Sequence, residues 1–138
     1  MSELAVKRRL AAILSADVVG YSKLMGADEE GTLNALRQAR REHVDPAIAG
    51  NSGRIFKTTG DGLLAEFSSA VDAVRAAIAL QKSLAARTDG TSITFRIGVN
   101  LGDVIIEGDD VFGDGVNIAA RLQEMAEPGS VFMSAIVH

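Results

Sequence analysis

The chain has 138 residues and a mass of 14.5 kDa, with 47% hydrophobic and 23% charged residues, a composition typical of one globular domain with a buried core. Its 14 Lys and Arg residues against 18 Asp and Glu residues give a net charge of -4, the wrong sign for a protein that binds mainly to a nucleic-acid backbone. The lack of cysteine excludes disulfides, thiolate metal sites and cysteine nucleophiles, so we expect a cytoplasmic protein.

The N-terminal region resembles the beginning of a signal peptide but departs from it. Lys7, Arg8 and Arg9 precede a short apolar run, which Asp17 interrupts after few residues. No run in the sequence reaches the roughly 18 apolar residues that a membrane span requires. We therefore expect neither a signal peptide nor insertion of this chain into a membrane.

The beginning of the chain predicts a strand followed by a helix. Residues 10–19, LAAILSADVV, form a mostly apolar run that is typical of a strand buried on both faces, within which Asp17 is unusual. Residues 28–51 have acidic residues in their first turn and basic residues later. With Leu33 and Leu36 at three-residue spacing, they predict an amphipathic helix.

The next segment predicts a β-hairpin and a second helix. Residues 54–59 and 63–67 are the two predicted strands, and Asp61–Gly62 between them is a strong signal for a hairpin turn. Ser69, with Asp72 three residues later, resembles a capping box, which predicts that a helix begins there. The predicted apolar face of this helix comprises Val71, Val74, Ile78 and Leu84, with Ala77 and Leu80 beside them.

The last part of the chain predicts three more strands and one helix. Residues 92–108 predict two strands that turn near Gly102–Asp103, residues 114–128 a helix that ends at a proline, and residues 130–134 a short strand. The resulting order is β, α, β, β, α, β, β, α, β, which contains both hairpins and crossovers. This order favours an α+β domain with a mixed or antiparallel sheet covered by helices. We expect a single domain over residues 1–138.

Two aspartates are candidate metal ligands. A carboxylate within an apolar strand, such as that of Asp17, is unfavourable unless it is paired, protonated or bound to a cation. Asp61 in the hairpin could be a second ligand for the same cation. Both also have an ordinary interpretation, because Asp17 could cap the turn that follows its strand and Asp61 could be a turn residue alone. The local pattern leaves these interpretations open.

Three further polar residues have a functional and an ordinary interpretation. If Asp61 and Gly62 are the two turn residues, Lys57 faces Glu66 across the hairpin. A cross-strand ion pair worth about 0.2 to 1 kcal/mol would then account for the presence of the lysine without any ligand. Asn117 and Arg121 are four residues apart on the predicted helix, so their side chains lie on one face and can contact one ligand. Alternatively, Arg121 pairs with Glu124 one turn later and Asn117 is solvated.

Four segments together resemble the successive motifs of one protein family: ILSADVVGYSKLM, GRIFKTTGDGLLAEF, FRIGVNLGDVI and FGDGVNIAARLQ. In order and spacing they are similar to the class III adenylate and guanylate cyclase catalytic domain, from about Leu10 to the end of the chain. The resemblance implies a ferredoxin-like α+β fold. It also implies a domain truncated at its C-terminus, because family domains continue beyond such a last strand with another helix, a hairpin and a phosphate-contacting lysine.

The resemblance implies two sets of site residues. The first set binds metal and comprises Asp17, Asp61 and the main-chain carbonyl of Val18. The second set binds the nucleotide: Lys57 and Asp110 read the purine, Asn117 orients the ribose, and Arg121 stabilises the pentavalent phosphorus. Because a lysine and aspartate pair marks adenine in this family, the resemblance favours ATP over GTP.

The implied activity is that of an adenylate cyclase, which converts ATP to 3',5'-cyclic AMP and pyrophosphate in signal transduction. Its cofactors would be two divalent cations, Mg²⁺ or Mn²⁺, because hard cations prefer carboxylate oxygens. The family forms head-to-tail homodimers whose sites combine the metal ligands of one subunit with the nucleotide-binding residues of the other.

Two other functions are compatible with such a fold. One is a catalytically silent module for nucleotide binding or dimerisation. The other is a nucleic-acid-binding ferredoxin-like domain, which the charge of -4 and the presence of only 1 Tyr and 5 Phe residues for base stacking disfavour.

Overall fold

The central strand of the sheet is the long apolar run near the N-terminus. In the computed structural model, which describes residues 7–86 and 93–134, strand β1 (Lys7–Val18) pairs antiparallel with a strand on each side. Its middle residues are buried because helices cover both faces of the sheet. The strand predicted over residues 10–19 is therefore confirmed, with a start a few residues earlier.

The other elements follow the predicted order. The helices are α1 (Tyr21–Ala27), α2 (Glu29–Ala39), a π-helical turn (Arg40–Val44), α3 (Asp45–Ala49), α4 (Ala70–Ala86) and α5 (Asp114–Met125). The strands after β1 are β2 (Arg54–Thr58), β3 (Gly62–Phe67), β4 (Phe95–Glu107), β5 (Asp110–Phe112) and β6 (Val131–Met133). They form one sheet of order β2-β3-β1-β4-β5, in which β6 pairs parallel with β4 and the other pairs are antiparallel. The predicted α+β fold with a mixed sheet is confirmed.

The segment between β1 and β2 is more helical than predicted. Helix α1 is not among the predicted elements; it has only 7 residues, of which Tyr21 and Leu24 are partly buried against the core and none is fully buried. Helix α2 begins after Asp28, whose side chain accepts a hydrogen bond from the main-chain N–H of Gly31 at 3.0 Å, as expected of an N-cap. The π-helical turn joins α2 to α3, and the helical run ends before Gly50.

The buried face of α4 differs from the predicted one. Ser69 Oγ accepts hydrogen bonds from the N–H groups of Val71 and Asp72 at 3.1 and 3.4 Å, so the predicted cap is confirmed. Val71 and Ile78, however, are 58% and 42% exposed, and their predicted place on the apolar face is wrong. The buried residues are Ala73, Ala76, Ala77, Leu80 and Leu84. Three alanines and two leucines therefore form the buried face, and Val71 and Ile78 lie outside it.

Strand β4 passes through Gly102–Asp103 without a turn, so the turn predicted there is wrong. The strand has 13 residues and pairs with β1 along nearly all of them. A continuous row of hydrogen-bonding partners on β1 outweighs the local turn signal. The hairpin occurs later, where Gly108 has a φ of 63° and β5 begins at Asp110. Ser92, the first residue of the predicted strand, lies outside the described residues.

Helices pack on both faces of the sheet. Helices α2 to α4 cover the face that includes Leu14 and Phe67, and α5 covers the opposite face, which includes Val104. A Cβ atom added at Gly98 on β4 would lie 2.3 Å from the main-chain N of Gln123, so the backbone of α5 rests directly on β4. Among the described residues, no helix combines the length and apolar character needed to cross a bilayer.

Candidate active site

The β2–β3 hairpin brings Asp61 to the end of β1. The main-chain N–H of Val18 donates to the carbonyl of Asp61 at 2.9 Å. The hairpin closes with the N–H of Thr59 donating to the carbonyl of Gly62, also at 2.9 Å, so the two residues at its tip are Gly60 and Asp61. The predicted tip is therefore one residue too late. This correction keeps Asp61 in the turn and changes the register of β2 against β3.

The carboxyl groups of Asp17 and Asp61, here called the acid pair, are neighbours in one cavity. Burial, a hydrogen bond with the carboxyl group of Asp61 and repulsion by its charge, in that order, raise the pKa of Asp17 to about 6. The main chain of Val18 and the side chain of Gln123 act in the opposite direction and limit the rise in the pKa of Asp17. The acid pair is therefore unfavourable when both groups are ionised and no cation lies between them.

A divalent cation fits this pair of carboxylates. The Oδ1 atom of Asp17 is buried and has no hydrogen-bond partner within the described structure. A buried carboxylate oxygen without a donor is unfavourable, and a bound cation removes that penalty. Oxygen ligands are also those that Mg²⁺ and Mn²⁺ prefer. Asp17 does not cap the following helix, since the N-cap there is Gly20 and no side chain bonds to the helix end.

Further metal ligands would have to come from oxygens other than a third acidic side chain. In residues 7–86 and 93–134, no group of three or more His, Cys, Asp or Glu side chains could hold a metal ion. Main-chain carbonyls and the oxygens of a bound phosphate can complete such a coordination shell. Val18 adjoins the acid pair at the end of β1, and its carbonyl stays a predicted ligand.

Lys57 lies beside the acid pair. Its Cα pairs with Leu64 rather than with Glu66, because the hairpin turns at Gly60 and Asp61, one residue earlier than predicted, so the predicted ion pair with Glu66 is wrong. The lysine is exposed. A cavity of about 180 Å³ is lined by residues that include Lys57, Asp17, Asp61 and Gln123. A ligand in this cavity could therefore contact the lysine and both carboxylates.

Glu66 joins three strands instead. Its buried carboxylate accepts hydrogen bonds from Arg9 on β1 at 2.7 Å and from Nε of Arg54 on β2 at 2.9 Å, and it forms an ion pair with Nη2 of Arg54 at 2.7 Å. Arg54 also donates to the main-chain carbonyl of Asp109 at 3.2 Å, which links β2 to the turn before β5. The role of Glu66 is therefore structural, because it ties β1, β2 and β3 together.

Replacing Glu66 by glutamine is expected to lower the free energy of unfolding by about 2 kcal/mol, because two guanidinium groups lose their shared charge partner. The partial exposure of both arginines limits the loss. Urea denaturation measures the effect, with Glu124→Gln at an exposed position of α5 as the matched control. Equal stabilities for the two variants would contradict the structural role of Glu66.

The other predicted nucleotide-binding residues do not line the cavity of the acid pair. Asp110 is exposed on β5, and its Oδ1 accepts a hydrogen bond from the N–H of Val111 at 2.9 Å. Asn117 and Arg121 are exposed one turn apart on α5. The described ion pairs do not include the predicted pair of Arg121 with Glu124. Both α5 side chains are thus accessible at the surface of the protomer.

Two polar residues beside the acid pair are not among the predicted site residues. Gln123 on α5 is buried, and its Oε1 accepts a hydrogen bond from the buried hydroxyl of Ser15 at 3.5 Å. Gln123 follows Val116 and Ala119 at helical spacing on the buried face of α5. A polar residue within an apolar stripe is the signal by which sequence reasoning could have found it.

Comparisons with known proteins agree with this architecture. The profile of the adenylate and guanylate cyclase catalytic domain family matches residues 7–138. A Rhizobium meliloti protein named "Putative adenylate cyclase 3" is 49% identical over 142 residues, a match that covers 100% of this chain and 24% of the relative. An adenylate cyclase of Streptomyces coelicolor is 35% identical over 131 residues, a match that covers 95% of this chain and 34% of the relative.

A solved structure is similar along nearly the whole chain. The adenylate/guanylate cyclase/hydrolase of Silicibacter pomeroyi is 48% identical, with a TM-score of 0.89, over 97% of this chain and 80% of that one. The chain spans only 24% and 34% of the lengths of the two curated relatives.

Proposed function

The chain belongs to the adenylate and guanylate cyclase catalytic domain family, and on this basis we propose that it converts ATP to 3',5'-cyclic AMP and pyrophosphate. The observation that carries the proposal is that Asp17 and Asp61 line one cavity, where the carboxyl group of Asp61 raises the pKa of Asp17. The relatives named adenylate cyclase support the choice of ATP over GTP.

The acid pair and the main-chain carbonyl of Val18 would hold the metal. Two divalent cations, Mg²⁺ or Mn²⁺, would supply activation of the ribose 3'-hydroxyl and neutralisation of charge on the phosphates. No histidine is among the residues that line the cavity, so no imidazole is placed there to act as a base. By holding the metal, Asp17 and Asp61 would determine where the ribose 3'-hydroxyl and the α-phosphate meet.

Lys57 and Asp110 would read the adenine base. Adenine presents an acceptor at N1 and a donor at its N6 amino group, which an ammonium and a carboxylate complement, respectively. Guanine presents the reverse pattern on that edge. Both side chains are exposed and neither takes part in a described ion pair, so the base would not have to displace an existing charge partner.

Asn117 and Arg121 would contact the ribose and the reacting phosphate. The guanidinium of Arg121 would donate hydrogen bonds to the equatorial oxygens of the α-phosphate, where negative charge develops. Both residues are exposed and do not line the cavity of the acid pair in their own protomer. This separation supports a head-to-tail homodimer whose sites combine the acid pair of one protomer with α5 of the other. Lys57 would extend to the partner's site in the same arrangement.

A product assay tests the proposed substrate. With Mn²⁺, the protein is expected to form cyclic AMP from ATP at least about tenfold faster than cyclic GMP from GTP. The double substitution Lys57→Glu with Asp110→Asn is expected to reverse this preference, because a carboxylate accepts from guanine N1–H and an amide donates to guanine O6. Chromatography of both products gives the two rates.

The matched control for this assay is Lys23→Glu with Asp109→Asn, which makes the same charge changes at exposed positions outside the cavity. It should leave the preference for ATP unchanged. Calorimetric binding of ATP without any cyclic product would contradict the proposed activity and support a catalytically silent nucleotide-binding module.

A further inference from the structure

Gln123 connects helix α5 to the acid pair. Its side chain is buried, with 7% of the residue exposed, and it lines the same cavity as Asp17. Its Oε1 accepts the hydrogen bond from Ser15, which lies two residues before Asp17 on β1. Side chains two residues apart on a strand point to the same face, so Gln123 lies over both of them. With Oε1 bonded to Ser15, the amide N–H groups are free to donate to the carboxylate of Asp17.

The position of Gln123 is determined by its backbone. Ser15 pairs with Gly98 across β1 and β4. A Cβ atom at Gly98 would lie 2.3 Å from the main-chain N of Gln123 and 2.5 Å from the carbonyl oxygen of Ala119. The helix therefore contacts the sheet at this point, and the side chain of Gln123 leaves α5 directly above the β1 face that carries Ser15.

We propose that Gln123 is a positioning residue that holds the carboxylate of Asp17 in its metal-binding orientation and ties the acid pair to α5. This proposal rests on the proposed function, because it requires Asp17 to be a metal ligand. An amide donor on Asp17 restrains a side chain that its neighbour Asp61 repels, and it leaves the buried, unpartnered Oδ1 for the cation. Partners of this kind typically change metal affinity by about 10- to 100-fold.

The proposal also implies that α5 links the two active sites of the dimer. The helix that contacts Asp17 through Gln123 carries Asn117 and Arg121 on its exposed side. In a head-to-tail dimer these two residues serve the partner's site. A shift of α5 would therefore affect the metal ligands of one site and the phosphate contacts of the other.

Binding of Mn²⁺ alone to the protein, measured by electron paramagnetic resonance of the free ion, tests the proposal. Gln123→Met keeps the length of the side chain and removes the amide, and it is expected to weaken Mn²⁺ binding at least about tenfold. Gln81→Met is the matched control, because the amide of Gln81 donates to the carbonyls of Phe95 and Ser130 at 2.9 and 3.0 Å and Gln81 does not line the cavity of the acid pair. It should lower thermal stability without changing Mn²⁺ affinity.

Ser15→Ala gives a second variant that does not depend on how well methionine packs. It frees the amide of Gln123 and should weaken Mn²⁺ binding less than Gln123→Met does. In the Gln123→Met background, Ser15→Ala should have no further effect, since both changes act through one amide. The half-saturating Mn²⁺ concentration for catalysis should rise in parallel, with kcat at saturating Mn²⁺ changed less than about threefold.

Two results would overturn the proposal. One is a Gln123→Met protein whose Mn²⁺ affinity is within about twofold of wild type or falls no more than that of Gln81→Met. The other is additive effects of Ser15→Ala and Gln123→Met. Failure of the proposed function has a different signature, because wild type and Asp17→Asn would then bind Mn²⁺ equally.

Discussion

Replacing Asp17 by asparagine is expected to reduce cyclic nucleotide formation on the order of 1,000-fold, because a neutral amide is a poor substitute for a carboxylate that holds a divalent cation. Asp61→Asn should have a comparable effect, since both carboxyl groups line the same cavity and are proposed to bind the same metal. Initial rates at saturating ATP and Mn²⁺ give the loss, and Mn²⁺ titration gives the change in affinity.

The same substitution should stabilise the metal-free protein. Burial and the neighbouring Asp61 raise the pKa of Asp17, so the ionised carboxylate at neutral pH is less favourable in the fold than in the unfolded chain. An amide has no such penalty, and we expect the free energy of unfolding to increase by about 1 kcal/mol. A less stable Asp17→Asn protein with unchanged activity would contradict the assignment of Asp17 as a metal ligand.

Mixing two inactive variants extends this prediction to the dimer. Asp17→Asn lacks a metal ligand and Arg121→Ala lacks the phosphate contact, so a heterodimer of the two would contain one intact site and one doubly defective site. An equimolar mixture is expected to recover about a quarter of the wild-type activity, since half of the dimers are heterodimers. Mixtures of Asp17→Asn with Asp61→Asn provide the control and should recover none. Lack of recovery in the first mixture would contradict the shared site.

Replacing Gly98 by alanine is expected to destabilise the fold by about 3 kcal/mol or to prevent folding. The added Cβ would lie 2.3 and 2.5 Å from main-chain atoms of Gln123 and Ala119. Backbone atoms cannot rotate away as a flexible side chain can, so α5 would have to move off β4. The same movement would withdraw Gln123 from Ser15 and Asp17, and Mn²⁺ affinity should fall with stability. Denaturant unfolding and Mn²⁺ titration measure the two losses.

Gly26→Ala is the matched control for Gly98→Ala. Gly26 lies in α1, and a Cβ atom added there would meet nothing within 4 Å. Alanine also has the higher helix propensity, so this variant should be as stable as wild type or more stable by up to about 1 kcal/mol. Equal effects at the two glycines would mean that α5 does not rest on β4 as closely as described.

The sequence predicts well those helices and strands whose signals come from residues close together in the chain. The apolar run of β1, the cap at Ser69 and the helix from Asp114 all depend on residues a few positions apart, and each is confirmed. Helix α1 is the exception, because a helix of 7 residues with partly buried Tyr21 and Leu24 offers too short an apolar pattern for a prediction. The exposure of Ile78 shows the limit of periodicity, since an apolar residue can lie just outside the buried face.

The sequence by itself determined the fold class, the order of the elements and the candidate residues of the acid pair, because periodicity, turn chemistry and an unusual carboxylate in an apolar strand are local properties. Only the tertiary structure decided that β4 continues through Gly102–Asp103, that Glu66 binds two arginines rather than Lys57, and that Gln123 lies beside Asp17. The physical reason is that these contacts join residues far apart in the chain, on β1, β2, β4 and α5, and depend on strand register and helix docking.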